Sequence, residues 1–170
     1  MEERTVSYRQ LFGRFATGVA VVLSEEGDRV VGLTVNSLTS ISLDPFLLLF
    51  CARNESKSAA VVLRSGRFSV NVLSAHQEHI ARYFSGSKDH EAKFNYRRGK
   101  KFVWLAGAAA VFRCEVEAVY PGGDHRIIVG RVIDMFGPQK CDRPLVYHRG
   151  RYTHLELQVE KSTLVTRKQP

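Results

Sequence analysis

The sequence predicts a mainly β protein, a closed antiparallel barrel with a few short peripheral helices. Three observations lead there. Runs rich in Val, Ile, Leu and Phe recur along the chain, and short turns containing Gly, Asp or Pro separate several of them. Helical spacing appears only in brief stretches. The βαβ alternation of a doubly wound nucleotide fold is missing, no Gly-x-Gly-x-x-Gly follows a strand, and no Gly-x-x-x-x-Gly-Lys-Ser/Thr phosphate loop is present.

The elements follow in order. Ser7 to Thr17 reads as a helix, with Tyr8, Leu11, Phe12 and Phe15 at helical spacing, Ser7 as cap and Gly18 as stop. Val19 to Leu23 is a β-branched strand, Glu25-Glu26-Gly27-Asp28 a turn, and Arg29 to Val35 the returning strand. A polar segment runs on to Asp44-Pro45, and Phe46 to Ala52 is an apolar strand. Ser56 caps a short helix to about Leu63, which Arg64-Ser65-Gly66 ends. Arg67 to Leu73 alternates, with Phe68, Val70 and Val72 on one face and Ser69 and Asn71 on the other. Ser74 opens a helix to about Phe84. Ser85 to Lys101 reads as a polar loop, long enough to suggest function or mobility. Ala108 to Tyr120 and Ile127 to Met135 form a hairpin around Pro121-Gly122-Gly123-Asp124. Pro144 to His148 and Arg151 to Leu155 make a last short pair, and the tail from 156 has little periodicity. Residues 1–170 thus read as one domain with its core at about 8–155.

Composition narrows the function classes. A chain of 170 residues with 44% hydrophobic and 25% charged residues is long enough for a sizeable core and ordinary for a globular protein. Its apolar run Phe46 to Ala52 is too short to span a bilayer, and Met1-Glu2-Glu3-Arg4 leads into no signal-peptide region, so a cytoplasmic location is the default. Cys51, Cys114 and Cys141 form no disulfide framework and read as small hydrophobes. The net charge of +8 suits an anionic ligand or nucleic acid. Only Arg97-Arg98-Gly99-Lys100-Lys101 forms a basic run, however, and no nucleic-acid-binding motif accompanies it. His76 and His79 share a helix face without a third ligand, so no metal site is expected.

Three clusters carry candidate chemistry. Thr34, Asn36, Ser37, Thr39 and Ser40 offer hydroxyl and amide groups along an extended edge, suited to a planar ring or a phosphate, or to local backbone turns. Arg53, Ser56, Lys57 and Ser58 put a helix N-terminus beside cations, a phosphate site or simple capping. Gly122-Gly123-Asp124-His125 is a hairpin turn that also fixes the direction of an imidazole.

In this order the clusters resemble the short flavin reductases, the NAD(P)H:flavin oxidoreductases that serve two-component monooxygenases. The matching stretches are RFATGVAVV (14–22), GLTVNSLTSISLDP (32–45), GRFSVNVLS (66–74), HIARYFSG (79–86), GGDHRIIVGRV (122–132) and PLVYHRGRY (144–152). Phe46 departs from the pattern, standing where members of that family often have a second proline. The resemblance implies an FMN-binding split β-barrel of antiparallel Greek-key type, working as a homodimer with flavin near the subunit seam. It implies FMN or FAD lined by Thr34, Asn36, Ser37, Thr39 and Ser40, with Cys51 and Ala52 near the ring edge. Ser56, Lys57 and Ser58 would approach the phosphate, and Phe84, Ser85 and Gly86 would close the site. Asp124 and His125 match a Gly-Asp-His motif associated with nicotinamide binding, with His125 positioning NADH or NADPH. Reduced flavin would pass to a partner monooxygenase. The alternatives are a barrel that retains its flavin and acts on another small molecule, a non-catalytic binder, and a nucleic-acid-binding protein resting on charge alone.

Overall fold

The computed structural model describes residues 2–86, 94–138 and 143–156. Cys141, the tail beyond 156 and positions 87–93 of the polar segment lie outside these residues. The elements are α1 (Glu2–Phe12), β1 (Thr17–Gly18), β2 (Ala20–Glu26), β3 (Arg29–Val35), β4 (Thr39–Leu43), β5 (Phe46–Arg53), α2 (Lys57–Ser65) and β6 (Arg67–Val72). After a 3-10 turn at Ala75–Gln77 come α3 (Glu78–Phe84), β7 (Tyr96–Gly99), β8 (Phe102–Leu105), β9 (Ala110–Gly122), β10 (His125–Phe136), β11 (Leu145–His148) and β12 (Arg151–His154).

Most expected strands stand within a few residues of their sequence positions, and three segments differ. α1 begins before Ser7, where Glu3 suits the positive end of a helix. It ends at Phe12, because the Gly13 carbonyl accepts a hydrogen bond from Arg149 N at 2.8 Å instead of continuing the helix. The polar segment after β3 contains a strand, β4, which pairs with β5 from Thr39↔Leu49 to Leu43↔Phe46. The basic run is no loop: β7 and β8 form a hairpin whose turn places Lys100 and Lys101 at φ 52° and 65°. Lysine resists that backbone region, so packing of β8 must hold it there.

That packing also corrects the reading of β6. Both its faces are buried. Ser69 Oγ donates to Val103 O at 2.6 Å, Asn71 Nδ2 donates to Val21 O at 3.0 Å, and Asn71 Oδ1 accepts from Leu105 N at 2.8 Å. A polar alternation normally marks a solvated face; here it clamps a second layer.

The main sheet runs β3-β2-β6-β9-β10-β5-β4, every pairing antiparallel. Its ladder has two ends, β3 and β4, so it is a curled sheet rather than a closed ring. Curling brings Val35 of β3 and Phe50 of β5 into one buried cluster with Phe68, Val70 and Ile128, which α2 covers through Ala59 and Val62. A second cluster, including Val21, Leu23, Leu73, Val103, Leu105 and Leu145, lies on the other face under α3, β8 and β11. Each large apolar side chain buried this way stabilises by about 1.5–3 kcal/mol. None of the helices among the described residues is long and apolar enough to cross a membrane.

Candidate active site

Where the curled sheet brings β3 beside β5, the Asn36–Leu38 link crosses between them. Ser37 closes the junction: its Oγ accepts from Cys51 N at 2.9 Å and lies 3.5 Å from Cys51 O. Thr34 Oγ1 donates to Ala81 O at 2.7 Å, tying α3 to β3. Gly32 completes this wall, since a Cβ there would stand 2.6 Å from both the Phe84 ring and Leu23. Between these parts lies a cleft of about 580 Å³, bounded by Leu33 to Ser37, Cys51 to Arg53, Glu55, Ser56, Phe84, Ser85 and His125.

One wall is electropositive by construction. Ser56 caps α2, its Oγ accepting from Ala59 N at 3.2 Å. This leaves the Lys57 and Ser58 N–H groups outside the helical ladder, with no acidic residue in the first turn and Arg53 nearby. Such an end favours an anion. Beside it stands His125, directly across the β5–β10 ladder from Arg53, on a turn that Asn54 pins twice: Nδ2 donates to Gly123 O and the backbone N to Asp124 O, both at 3.0 Å. Gly123 takes φ +71°, which a side chain would strain. His125 Nδ1 lies 2.7 Å from Asp124 Oδ1, and an ionised carboxylate only accepts, so Nδ1 carries the proton. On a neutral ring Nε2 is then an acceptor. The same hydrogen bond holds the Asp124 carboxyl below its ordinary range.

Thr34, Asn36, Ser37, Cys51, Ala52, Ser56, Phe84, Ser85 and His125 thus line one cleft. Thr39 lines an adjoining cleft of about 580 Å³, which shares Asn36, Ser37 and Cys51 with the first. Lys57, Ser58, Gly86 and Asp124 line neither, though Lys57, Gly86 and Asp124 each adjoin a residue that does. Ser40 falls on a separate apolar groove with Leu43, Phe46 and Met135. The hydroxyls of Thr34 and Ser37 are engaged with backbone, so they shape the walls, whereas the exposed amide of Asn36 is presented where the clefts meet.

Sequence reasoning missed Asn54, which carried no signal beyond standing in a loop, and Phe12 and Phe15, which border the adjoining cleft. It also missed Arg82, Tyr147 and Tyr152, whose clue was their place in the quoted motifs. Cys51 borders the cleft, while burial pushes the Cys114 thiol up to about 12 and keeps it a core residue. His76 belongs to the 3-10 turn and His79 to α3, so they do not share one helix; no metal-holding group of three or more His, Cys, Asp or Glu occurs among the described residues.

A curled antiparallel sheet with an anion-favouring, imidazole-flanked cleft at its junction suits a planar anionic ligand. The flavin reductase like domain matches residues 12–156, and the chain belongs to the flavin reductase family of oxidoreductases. It is 35% identical to an NADH-dependent FMN reductase of Streptomyces nodosus subsp. asukaensis, over 91% of this chain and 87% of that one. It is 36% identical to the reductase subunit of a flavin-dependent monooxygenase of Mycobacterium tuberculosis, over 92% and 84%. The solved NADH:FAD oxidoreductase of Streptomyces globisporus, in complex with NAD and FAD fragments, superposes with a TM-score of 0.85 at 31% identity, covering 94% of this chain and 98% of that one.

Proposed function

We propose that this chain uses NADH, in preference to NADPH, to reduce FMN or FAD, and releases the reduced flavin to a monooxygenase component. The carrying observation is the convergence on one cleft of the Ser37-bonded junction, the acid-free N-terminus of α2 and the Asp124-oriented imidazole of His125. The cofactor identities follow the related reductases.

The residues fit a flavin. The cleft has the volume of a cofactor pocket, roughly 300–1,000 Å³. The Lys57 and Ser58 N–H groups, with Arg53, would hold the phosphate, and the exposed Asn36 amide would meet the polar edge of the ring. Bound flavin supplies the ring that accepts hydride from nicotinamide C4. The protein's part is orientation: His125 Nε2 can accept a hydrogen bond from the nicotinamide amide, and Phe84 restricts water. Nothing in the transfer requires His125 to move a proton.

The working unit in this reading is a cytoplasmic homodimer of single-domain chains. β4 and β5 expose Ile41, Leu43 and Phe46, β10 exposes Met135, and α1 exposes Tyr8, Leu11 and Phe12, apolar surface that a second copy would cover. Light scattering should return twice the chain mass of 19.2 kDa; a monomer at micromolar concentration removes the dimer. For the activity itself, the purified chain should oxidise NADH only when FMN or FAD is present. If neither flavin supports oxidation of NADH or NADPH, the reductase reading fails.

A further inference from the structure

Gly32 stands in the middle of β3, where a glycine weakens a strand and marks the close approach of another group. Its φ is not positive, so the position demands space rather than a special conformation. That space is taken from two sides. A Cβ at position 32 would stand 2.6 Å from Phe84 Cε1, 2.7 Å from Phe84 Cδ1 and 2.6 Å from Leu23 Cδ2. Leu23 is the cross-strand partner of Gly32 and is fully buried, so it cannot yield. Thr34, on the same face of β3, donates to Ala81 O and holds α3 down over this spot. The Phe84 ring, at the end of α3, therefore rests directly on bare backbone.

Other rings hold it from the side. Tyr83 stands edge-on to Phe84, with centroids 5.0 Å apart. Phe94 packs against both, 5.2 Å from Phe84 and 5.1 Å from Tyr83, and Tyr96 backs Phe94 at 4.9 Å. Phe84 borders the main cleft, while Phe94 and Tyr96 do not. With the sheet beneath and aromatic rings beside, the cleft is the open direction for the Phe84 ring.

We propose that Gly32 and Phe94 are positioning residues that act through the Phe84 ring and set the depth of the cleft left for the nicotinamide. The assignment rests on the reading of the cleft as a flavin and nicotinamide site. In that reading the N-terminus of α2 and Asn36 anchor the flavin, and neither belongs to the groups packed on Phe84. Phe84 instead limits the remaining depth, into which a second ring must stack at a separation of about 3.5–4.0 Å. A methyl at position 32 must retreat from 2.6 Å to an ordinary contact, which lifts the Phe84 ring by about 1 Å into that depth. A displacement of that size is enough to slow transfer between stacked rings about a hundredfold.

The experiment uses FMN-loaded protein and tetrahydro-NAD, a nicotinamide analogue that cannot give up hydride. Flavin fluorescence gives the Kd for FMN. The long-wavelength charge-transfer absorbance of the stacked pair gives the Kd for the analogue without turnover, and stopped-flow reduction by NADH gives the rate. In Gly32→Ala the analogue should bind about tenfold more weakly, the scale of one overpacked contact, and reduction should slow at least as much. The Kd for FMN should stay within about twofold. In a Phe84→Leu background, where the displaced ring is gone, the same methyl should change analogue affinity by less than about twofold. A merely structural cost of the methyl would add equally in both backgrounds. Phe94→Leu, at a residue outside the cleft, should weaken the analogue and spare FMN, and Phe94→Tyr, which keeps the ring, should bind like wild type. The Phe94 pair decides the matter if Gly32→Ala does not fold. Wild-type analogue binding in Gly32→Ala or Phe94→Leu, equal loss of FMN and analogue, or the same loss with and without Phe84→Leu overturns the proposal. If wild-type protein binds FMN but shows neither charge transfer nor reduction by NADH or NADPH, the reductase reading itself fails and the proposal falls with it.

Discussion

Two stretches of this chain look alike in sequence and end in opposite environments. Val35-Asn36-Ser37 runs off the end of β3, and Ser69-Val70-Asn71 lies in β6. Asn71 and Ser69 are fully buried, and both ends of the Asn71 amide are bonded, to Val21 O and Leu105 N. Asn36 is exposed, its amide has no protein partner among the described residues, and it stands where clefts meet. An asparagine with every bond satisfied by protein is architecture; one held on a rigid strand end with its bonds unspent is available to a ligand. Burial and partners, not residue type, separate the two.

The largest effect expected from breaking this contrast is Asn71→Ala. It leaves the Leu105 N–H unpaired in the interior, at about 1–3 kcal/mol, and removes the side-chain hydrogen bond to the Val21 carbonyl. Urea unfolding should register a loss of roughly 2–5 kcal/mol, while the flavin Kd of the folded fraction stays at the wild-type value. A loss under about 0.5 kcal/mol would mean that the β8 layer does not depend on this clamp.

His125→Ala comes next and acts on chemistry rather than stability. A nicotinamide seated without its Nε2 partner should reduce bound flavin up to about a hundredfold more slowly, with a raised KM for NADH. Flavin affinity should hardly move. Stopped-flow reduction at the wild-type rate, with wild-type saturation, would take His125 out of the site.

Asn36→Ala is the mirror image of Asn71→Ala. Stability should stay within about 0.5 kcal/mol, and flavin binding should weaken by about 1 kcal/mol or somewhat more, one hydrogen bond to the ligand. The contrast collapses if unfolding shifts and the flavin Kd does not.

The smallest effect concerns pH. The hydrogen bond from His125 depresses the Asp124 pKa relative to its ordinary 3.8. Because the folded value lies below the unfolded one, this contribution is complete above about pH 3.8 and fades as pH falls through the folded pKa. Full exposure keeps it slight. A carboxyl-carbon NMR titration should place the Asp124 midpoint below 3.8, and in the His125→Ala variant it should return to the ordinary value. A midpoint at 3.8 in the wild-type protein would show that the pair does not orient the ring.

What the sequence determined by itself was whatever depends on neighbours along the chain. The β-branched run of β2, the apolar run of β5, the Ser56 cap of α2 and the Gly123-Asp124 turn are settled by local sterics and hydrogen bonding within a few residues, so they were legible. The polar clusters were legible as patterns, while their joining into one site with Cys51, Ala52, Phe84 and Ser85 was implied by the resemblance to the flavin reductases. Tertiary structure decided the rest. Lys100 and Lys101 favour no turn at positive φ, yet a hairpin forms because Ser69 and Asn71 bind β8 from another strand. Thr34 and Ser37 read as ligand groups, but α3 and β5 claim their hydroxyls once the sheet curls. Asn54 pins Gly123 and Asp124 from 69 residues away, and Arg82 meets Tyr152 only because β12 returns beside α3. Which polar group is consumed by the fold and which is left for a ligand depends on partners remote in the chain, and a local pattern holds no record of them.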